Sequence, residues 1–450
     1  MSTNYISTTN ACKLCTPLGA ALAFRGIEGA IPFLHGSQGC ATYMRRYIIS
    51  HFREPMDIAS SALGEKHAIY GGGPNLKKGI LNVMEKYGAT LVGVASTCLT
   101  ETIGDDVARY LDEFRREFSD LDLPDIVHCA TPSYMGTHMQ GWHTAMRATV
   151  EQLVTEKAPA TGRVNIMPGL TSAADLRHLK EICRDFGMTP VLLPDISDTM
   201  DGQALLDYEK IPSGGTPIAA IKAMSGSAGT IECGRVLAEM KTAGTSLATR
   251  FGVPLHRIGS PIGLRETDAL FAALEAISGR PTPRQHLAER GRLVDAMVDG
   301  HKYIFGKRAI VYGEEDFVIG LTAFLAEIGV RPVLVATGAK GVHLQRHIND
   351  VCDTFMPDMP QVREGADFHD IAEEAETLAP DILIGHSKGY RYAEAWNVPL
   401  VRVGFPIHDR FGGQRILHLG YRGAQELYDR IVNAVLEKKQ ADNPVGYGYM

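Results

Sequence analysis

The sequence predicts an α/β protein built from three Rossmann-like domains with parallel sheets around a central cleft. Two observations carry this. Apolar runs of strand length alternate with amphipathic helical patterns along the chain, the signature of parallel sheets covered by helices on both faces. In addition, 450 residues exceed what one hydrophobic core serves, and suggest two or three domains of about 150 residues each.

The first domain spans residues 1–155. Its strands are expected at 30–34, 90–95 and 125–129, and a helix at 75–87 places Leu76, Ile80, Val83, Met84 and Tyr87 on one face. Asn75 is expected to cap that helix and Gly88 to end it. The second domain, 156–305, follows the break at Lys157-Ala158-Pro159-Ala160. It repeats the pattern with strands at 164–167 and 189–193 around a helix at 173–186, and Ser213-Gly214-Gly215-Thr216-Pro217 reads as a loop. The third, 306–450, has strands at 308–312, 331–337, 381–385 and 400–404, a helix at 316–328 and a C-terminal tail. In such folds the loops at the carboxyl ends of the strands converge on a shared cleft.

Composition narrows the function classes. A hydrophobic content of 45% describes an ordinary globular protein, and a net charge of -7 gives no sign of nucleic-acid or membrane-surface binding. No apolar run approaches the roughly 18 residues of a membrane span, and Met1-Ser2-Thr3-Asn4-Tyr5 lacks a basic region followed by an apolar stretch, so a cytoplasmic location is expected. Eight cysteines spread over this length are no disulfide framework; in a reducing compartment they are ligands or buried apolar residues.

Three cysteines share a context. Cys15 lies in Cys12-Lys13-Leu14-Cys15-Thr16-Pro17, Cys40 ends the loop His35-Gly36-Ser37-Gln38-Gly39-Cys40, and Cys98 closes the run Leu91-Val92-Gly93-Val94-Ala95-Ser96-Thr97-Cys98. Each sits at a strand end or glycine-permitted turn, where parallel-sheet domains present working groups. Glycine beside Cys40 allows the close backbone approach that a large inorganic cluster needs, and loop N–H groups can donate to its sulfur. Iron–sulfur ligation is the chemistry this pattern favours. Taken by itself, Cys12-x-x-Cys15 would also suit a redox pair or half a zinc site, but no second close pair follows and it precedes the first strand.

The runs 11–20 and 35–40, together with His51-Phe52-Arg53-Glu54-Pro55 and Thr97-Cys98-Leu99-Thr100-Glu101-Thr102-Ile103-Gly104-Asp105-Asp106, resemble the β-type subunit of nitrogenase component 1. Thr131-Pro132-Ser133, Gly141-Trp142 and the stretch 295–320 extend the resemblance over nearly the whole chain. It implies that Cys15, Cys40 and Cys98 are the three thiolates this subunit gives to an eight-iron P-type cluster (8Fe-7S), the α-type subunit supplying three more across the interface. Cys40 matches the ligand bridging the cluster halves. Ser133 matches a serine that ligates the oxidised cluster; read alone, it makes a turn hydrogen bond after a proline. Tyr43 matches a tyrosine on the path toward the active cofactor, against a plain reading as a packed aromatic. Cys12 has no counterpart.

Asp295-Ala296-Met297-Val298-Asp299 puts two carboxylates on one helix face, which suits a hard cation but by itself more often marks a solvated face. The resemblance implies that Asp295 and Asp299 meet the Arg53 carbonyl and Glu54 of a symmetry mate at a divalent metal, in an α2β2 heterotetramer. No GxxxxGKS/T phosphate loop is present: Gly338-Ala339-Lys340-Gly341 and Ser387-Lys388-Gly389 have the wrong spacing. Within this family, ATP coupling belongs to a homodimeric iron–sulfur reductase that docks on the α/β surface, and Tyr70 stands where a docking phenylalanine is expected. Nothing resembles a hydrolase motif.

Two family roles follow. One is a nitrogenase-like reductase subunit relaying electrons to a metal–sulfur cofactor in the α-type partner. The other is the β-type half of the scaffold that matures the nitrogenase cofactor on a 4Fe-4S cluster. The full set Cys15, Cys40, Cys98 and Ser133 favours the first, because a cubane between two chains needs only four ligands. The short segment before Cys15 is more scaffold-like, and methylthio-alkane reductase, which cleaves carbon–sulfur bonds, fits both features.

Overall fold

The computed structural model describes residues 11–134, 136–356 and 358–445; the opening Met1 to Tyr5 stretch and the last five residues of the tail lie outside them. Three parallel sheets organise the chain, as the alternating pattern requires. The first orders its strands Ala59–Ser60, Ala30–His35, Leu91–Ser96, Asp125–Cys129; the second Thr189–Leu192, Arg163–Met167, Gly229–Cys233, Leu255–Ile258. The third runs Gln361–Glu364, Arg331–Thr337, Arg308–Gly313, Ile382–Gly385, Leu400–Arg402. Every strand pair is parallel, and the helices between them supply the crossovers.

Four strands escaped the sequence reading, and their chemistry explains why. Gly229–Cys233 is wholly buried yet carries Glu232, whose carboxylate accepts from Thr242 Oγ1 at 2.8 Å and Gly244 N at 2.7 Å. A charged residue satisfied by tertiary contacts interrupts the apolar run on which strand recognition rests. Leu255–Ile258 and Gln361–Glu364 are edge strands with partly exposed, polar-rich faces, and Ala59–Ser60 is two residues long. One cap also differs. The helix begins at Gly73 with Pro74 in its first turn, and Asn75 Nδ2 instead donates to Ser61 O at 2.9 Å; Gly88, at φ 64°, ends it as expected.

All ten residues of the helix Thr16–Arg25 are buried. Its main partner is the helix His138–Leu153, and the two touch backbone to backbone through glycines. A Cβ on Gly19 would lie 1.7 Å from His138 O, and one on Gly141 1.9 Å from Thr16 O. The fully buried Trp142 beside this crossing donates from Nε1 to Pro168 O at 3.4 Å, reaching the second sheet's first loop.

The glycine-rich stretch 213–217 ties two sheets together. Glu28 N donates to Thr216 O at 3.0 Å and Thr216 N to Gly26 O at 2.8 Å. Gly215, at φ 93°, presses so close that a Cβ would lie 2.6 Å from Glu28 N, so only glycine fits. The third sheet reaches the same N-terminal segment through Cys12 N to Ala366 O at 3.4 Å and Lys388 Nζ to Ala11 O at 2.7 Å.

The helix crossing tolerates no side chain. Gly141→Ala is expected to lower unfolding free energy by about 3 kcal/mol or more, as overpacking against backbone does. Gly39→Ala, whose Cβ would meet nothing within 4 Å, leaves it within about 0.5 kcal/mol. Urea titration of both variants checks the contrast.

Candidate iron–sulfur cluster face

Cys15, Cys40 and Cys98 each stand at the start of a helix. Cys15 is the residue before Thr16–Arg25, Cys40 lies in the first turn of Gln38–Phe52, and Cys98 opens Cys98–Ile103 directly beyond the strand Leu91–Ser96. First-turn N–H groups have no partner inside their own helix and are available to acceptors there. Cys15 is exposed and Cys40 and Cys98 are half-buried, whereas Cys12, Cys129, Cys183, Cys233 and Cys352 are buried. Burial pushes the Cys12, Cys129, Cys183 and Cys233 thiols up to about 12 and Cys352 to about 11, so these five persist as protonated core residues. Cys12, the other half of the Cys-x-x-Cys pair, packs with Tyr312 and Phe368.

Ser133 N donates to Cys98 Sγ at 3.2 Å, which brings that serine next to one of the three thiols. Ser37 Oγ lies 3.5 Å from Cys40 Sγ. The rest of the loop before Cys40 is structural. His35 Nε2 meets Asp105 Oδ2 at 3.0 Å, its Nδ1 meets Ser61 Oγ at 3.0 Å, and a Cβ on Gly36 would strike Thr97 Oγ1 at 2.1 Å. Gly36 is therefore demanded by packing within this chain, while Gly39 faces open space.

Tyr43 is exposed on the helix Gln38–Phe52, and its hydroxyl donates to Tyr47 Oη at 3.1 Å, the rings 5.0 Å apart. That bond, then burial, pushes Tyr47 up to about 12. Lys388 Nζ lies 5.9 Å from the Tyr47 ring centroid. Neither Tyr47 nor Lys388 was singled out from sequence. Tyr47 was findable, being four residues from Tyr43 on one helix face; Lys388 arrives from the third sheet and leaves no local signal.

Arg53 ends its helix at φ 62° and donates from Nη2 to His408 O at 3.2 Å. Glu54 Oε1 accepts from Gly202 N at 3.2 Å, and burial raises its pKa. Asp295 and Asp299 are exposed on the helix Arg284–Ile304, and among the described residues no hydrogen bond or ion pair joins them to Glu54. Tyr70, 83% exposed, and Ile69 project from the short helix His67–Tyr70.

Among the described residues no group of three or more His, Cys, Asp or Glu side chains stands close enough to hold a single metal ion. The donor chemistry does fit an iron–sulfur cluster: three accessible thiols at helix starts, a backbone N–H already aimed at one sulfur, and a serine hydroxyl 3.5 Å from another. Three thiols leave such a cluster incomplete without a second chain. No described helix is long and apolar enough to cross a membrane.

A buried acidic run was also missed. Glu314, Glu315 and Asp316 open the helix Glu315–Glu327 at the end of the central strand of the third sheet. Asp316 accepts from Arg235 N at 2.7 Å and Val236 N at 3.0 Å, and Glu315 from Thr137 Oγ1 at 3.3 Å. Burial nevertheless raises Glu315 from 4.5 to about 7 and Asp316 to about 6.

Residues 15–436 match the family model for nitrogenase component 1 type oxidoreductases. The chain is 33% identical over 429 residues to the nitrogenase molybdenum-iron protein beta chain of Clostridium pasteurianum, covering 95% of this chain and 93% of that one. It is also 33% identical to the nitrogenase iron-molybdenum cofactor biosynthesis protein NifN of Bradyrhizobium diazoefficiens, covering 97% and 91% respectively. The solved structure of nitrogenase Cp1 at pH 6.5 superposes with a TM-score of 0.96 at 31% identity, covering 100% of this chain and 98% of that chain.

The acidic run sets a pH dependence. In the unfolded chain Glu315 loses its proton near its ordinary 4.5, but in the folded protein only near 7. The folded state holds the extra proton between these values, so stability falls as pH rises through that window. Glu315→Gln, which keeps an acceptor for Thr137, is expected to lose about 3 kcal/mol less between pH 4.5 and pH 8 than the parent, read from urea midpoints at each pH.

Proposed function

Because the chain belongs to the nitrogenase component 1 family as a β-type subunit homologue, we propose that it is the β-type half of a nitrogenase-like reductase, carrying its share of an 8Fe-7S P-type cluster on Cys15, Cys40 and Cys98. The observation that carries this reading is the division of the cysteines: three accessible thiols at helix starts, one of them beside Ser133, against five buried in the core. When bound, the cluster supplies one-electron storage between a reductant and the active cofactor.

The chain's own residues supply the rest. Cys15, Cys40 and Cys98 hold one side of the group, and Ser133, kept next to Cys98 by its N–H, offers an oxygen ligand for the oxidised form. Tyr43 and Tyr47 present a hydrogen-bonded aromatic pair leading away from Cys40 along one helix. Ile69 and Tyr70 offer an exposed apolar contact for a homodimeric ATP-binding iron–sulfur reductase. The α-type subunit completes the cluster. Arg53 and Glu54 of one copy, with Asp295 and Asp299 of another, join two such pairs through a divalent metal into α2β2. Methylthio-alkane reduction, with cleavage of a carbon–sulfur bond, is the activity we assign.

The similarity to the NifN protein favours a second reading, the β-type half of the cofactor-maturation scaffold with a 4Fe-4S cluster at the same face. Iron quantification and EPR on the anaerobically purified α/β complex separate the two. About eight interface irons per αβ pair, a P-type signal on stepwise oxidation and turnover of methylthio compounds support the reductase. A four-iron cubane signal, with cofactor transferable to an apo-nitrogenase, supports the scaffold. Cys40→Ala is expected to remove at least half of the interface iron; unchanged iron would exclude a cluster on this face.

A further inference from the structure

We infer that Ser37 is a positioning residue for the cluster: its hydroxyl donates to the Cys40 sulfur once that sulfur is bound to iron, and the bond makes the cluster easier to reduce. This rests on the cluster reading above and adds to it a residue outside the thiols and Ser133. Its basis is a contact that the helix does not need for itself. Ser37 is the residue before the helix Gln38–Phe52, in extended backbone at φ -75° and ψ 151°, and its side chain makes no capping bond to the first turn. The hydroxyl oxygen lies 3.5 Å from Cys40 Sγ instead.

A serine in this position ordinarily accepts from the N–H two or three residues on. Ser172 does so at the head of the helix Ala173–Asp185, where its Oγ accepts from Asp175 N at 2.9 Å. Cys40 stands in the same relation to Ser37, yet the serine oxygen meets the sulfur of that residue and leaves its N–H alone. The direction of the bond follows from the chemistry of ligation. A cysteine binds iron as a thiolate, which has no proton to give, so the serine O–H is the donor. Such a bond offsets charge on the sulfur and does so most in the reduced cluster, whose charge is more negative; the reduced form is thereby favoured. Ser37 is half-buried, which limits competition from water. The donor to Cys98 Sγ is the backbone N–H of Ser133, which side-chain substitution does not remove, whereas the donor at Cys40 is a side chain that alanine abolishes.

The test is a redox titration of the purified α/β complex, followed by EPR and paired with iron quantification, on the parent, Ser37→Ala and Ser37→Thr. Alanine removes the hydroxyl without costing the helix a capping bond, and threonine keeps a hydroxyl on the same carbon. Ser37→Ala is expected to weaken cluster reduction about fivefold, a downward shift of about 40 mV at about 59 mV per tenfold change for one electron, with iron content unchanged and with Ser37→Thr near the parent. Iron-replete Ser37→Ala at the parent potential overturns the inference alone, as does an equal shift in both variants, which would mark a structural role. A parent complex without interface iron overturns the cluster reading and this inference with it.

Discussion

The arrangement of the thiol-bearing face depends on one contact, the glycine-mediated crossing of the helices Thr16–Arg25 and His138–Leu153. At Gly19 and Gly141 there is room for hydrogen alone, so the two backbones fix each other's height and rotation. The junction is closed by His138 N to Leu14 O at 3.1 Å and by Leu14 N to His138 Nδ1 at 3.4 Å, immediately before Cys15. Ser133, five positions before His138 in the sequence, donates its N–H to Cys98 Sγ. The same joint thus bears on both Cys15 and Cys98, which stand 83 positions apart in the sequence.

What could be read directly from the chain follows the range of the forces involved. Buried parallel strands such as Asp125–Cys129 and Arg331–Thr337 announce themselves because their neighbours on both faces are apolar, and both appear with the expected limits. Gly229–Cys233 does not, because the partners that make Glu232 tolerable come from residues 242–257 and are invisible locally. The same distinction divides the site. Cys15, Cys40 and Cys98 could be singled out from turn chemistry and from resemblance, whereas the contact of Ser133 N with Cys98 Sγ, between residues 35 positions apart, shows only in the fold. Lys388 and the acidic run 314–316 have meaning only once three sheets have been folded against one another.

The chain concentrates buried polar chemistry where its sheets meet. Glu315 reaches Thr137 at the start of the His138 helix, Asp316 caps the backbone of Arg235 and Val236, and His418 Nδ1 pairs with the buried Asp175 Oδ2 at 2.9 Å. Contacts of this kind add little net free energy, since desolvation offsets most of the attraction. Their directional geometry nonetheless selects one way of docking the sheets, which apolar packing alone leaves loosely specified. The cluster face proposed above would call for that selectivity, because each sulfur would have to be held in register with ligands belonging to another polypeptide.

The accessibility of Cys15, Cys40 and Cys98 has a consequence for biogenesis. If these sulfurs face another subunit, as proposed above, they are open to solvent until that subunit arrives, and accessible cysteines are the ones exposed to sulfenic acid formation, mixed disulfides and adventitious metals. The five buried cysteines carry no such hazard. On that reading a newly made copy of this chain is most vulnerable at its three cluster cysteines until a subunit or an assembly factor covers that face. On the same reading oxygen sensitivity belongs to the single polypeptide, before any iron is delivered.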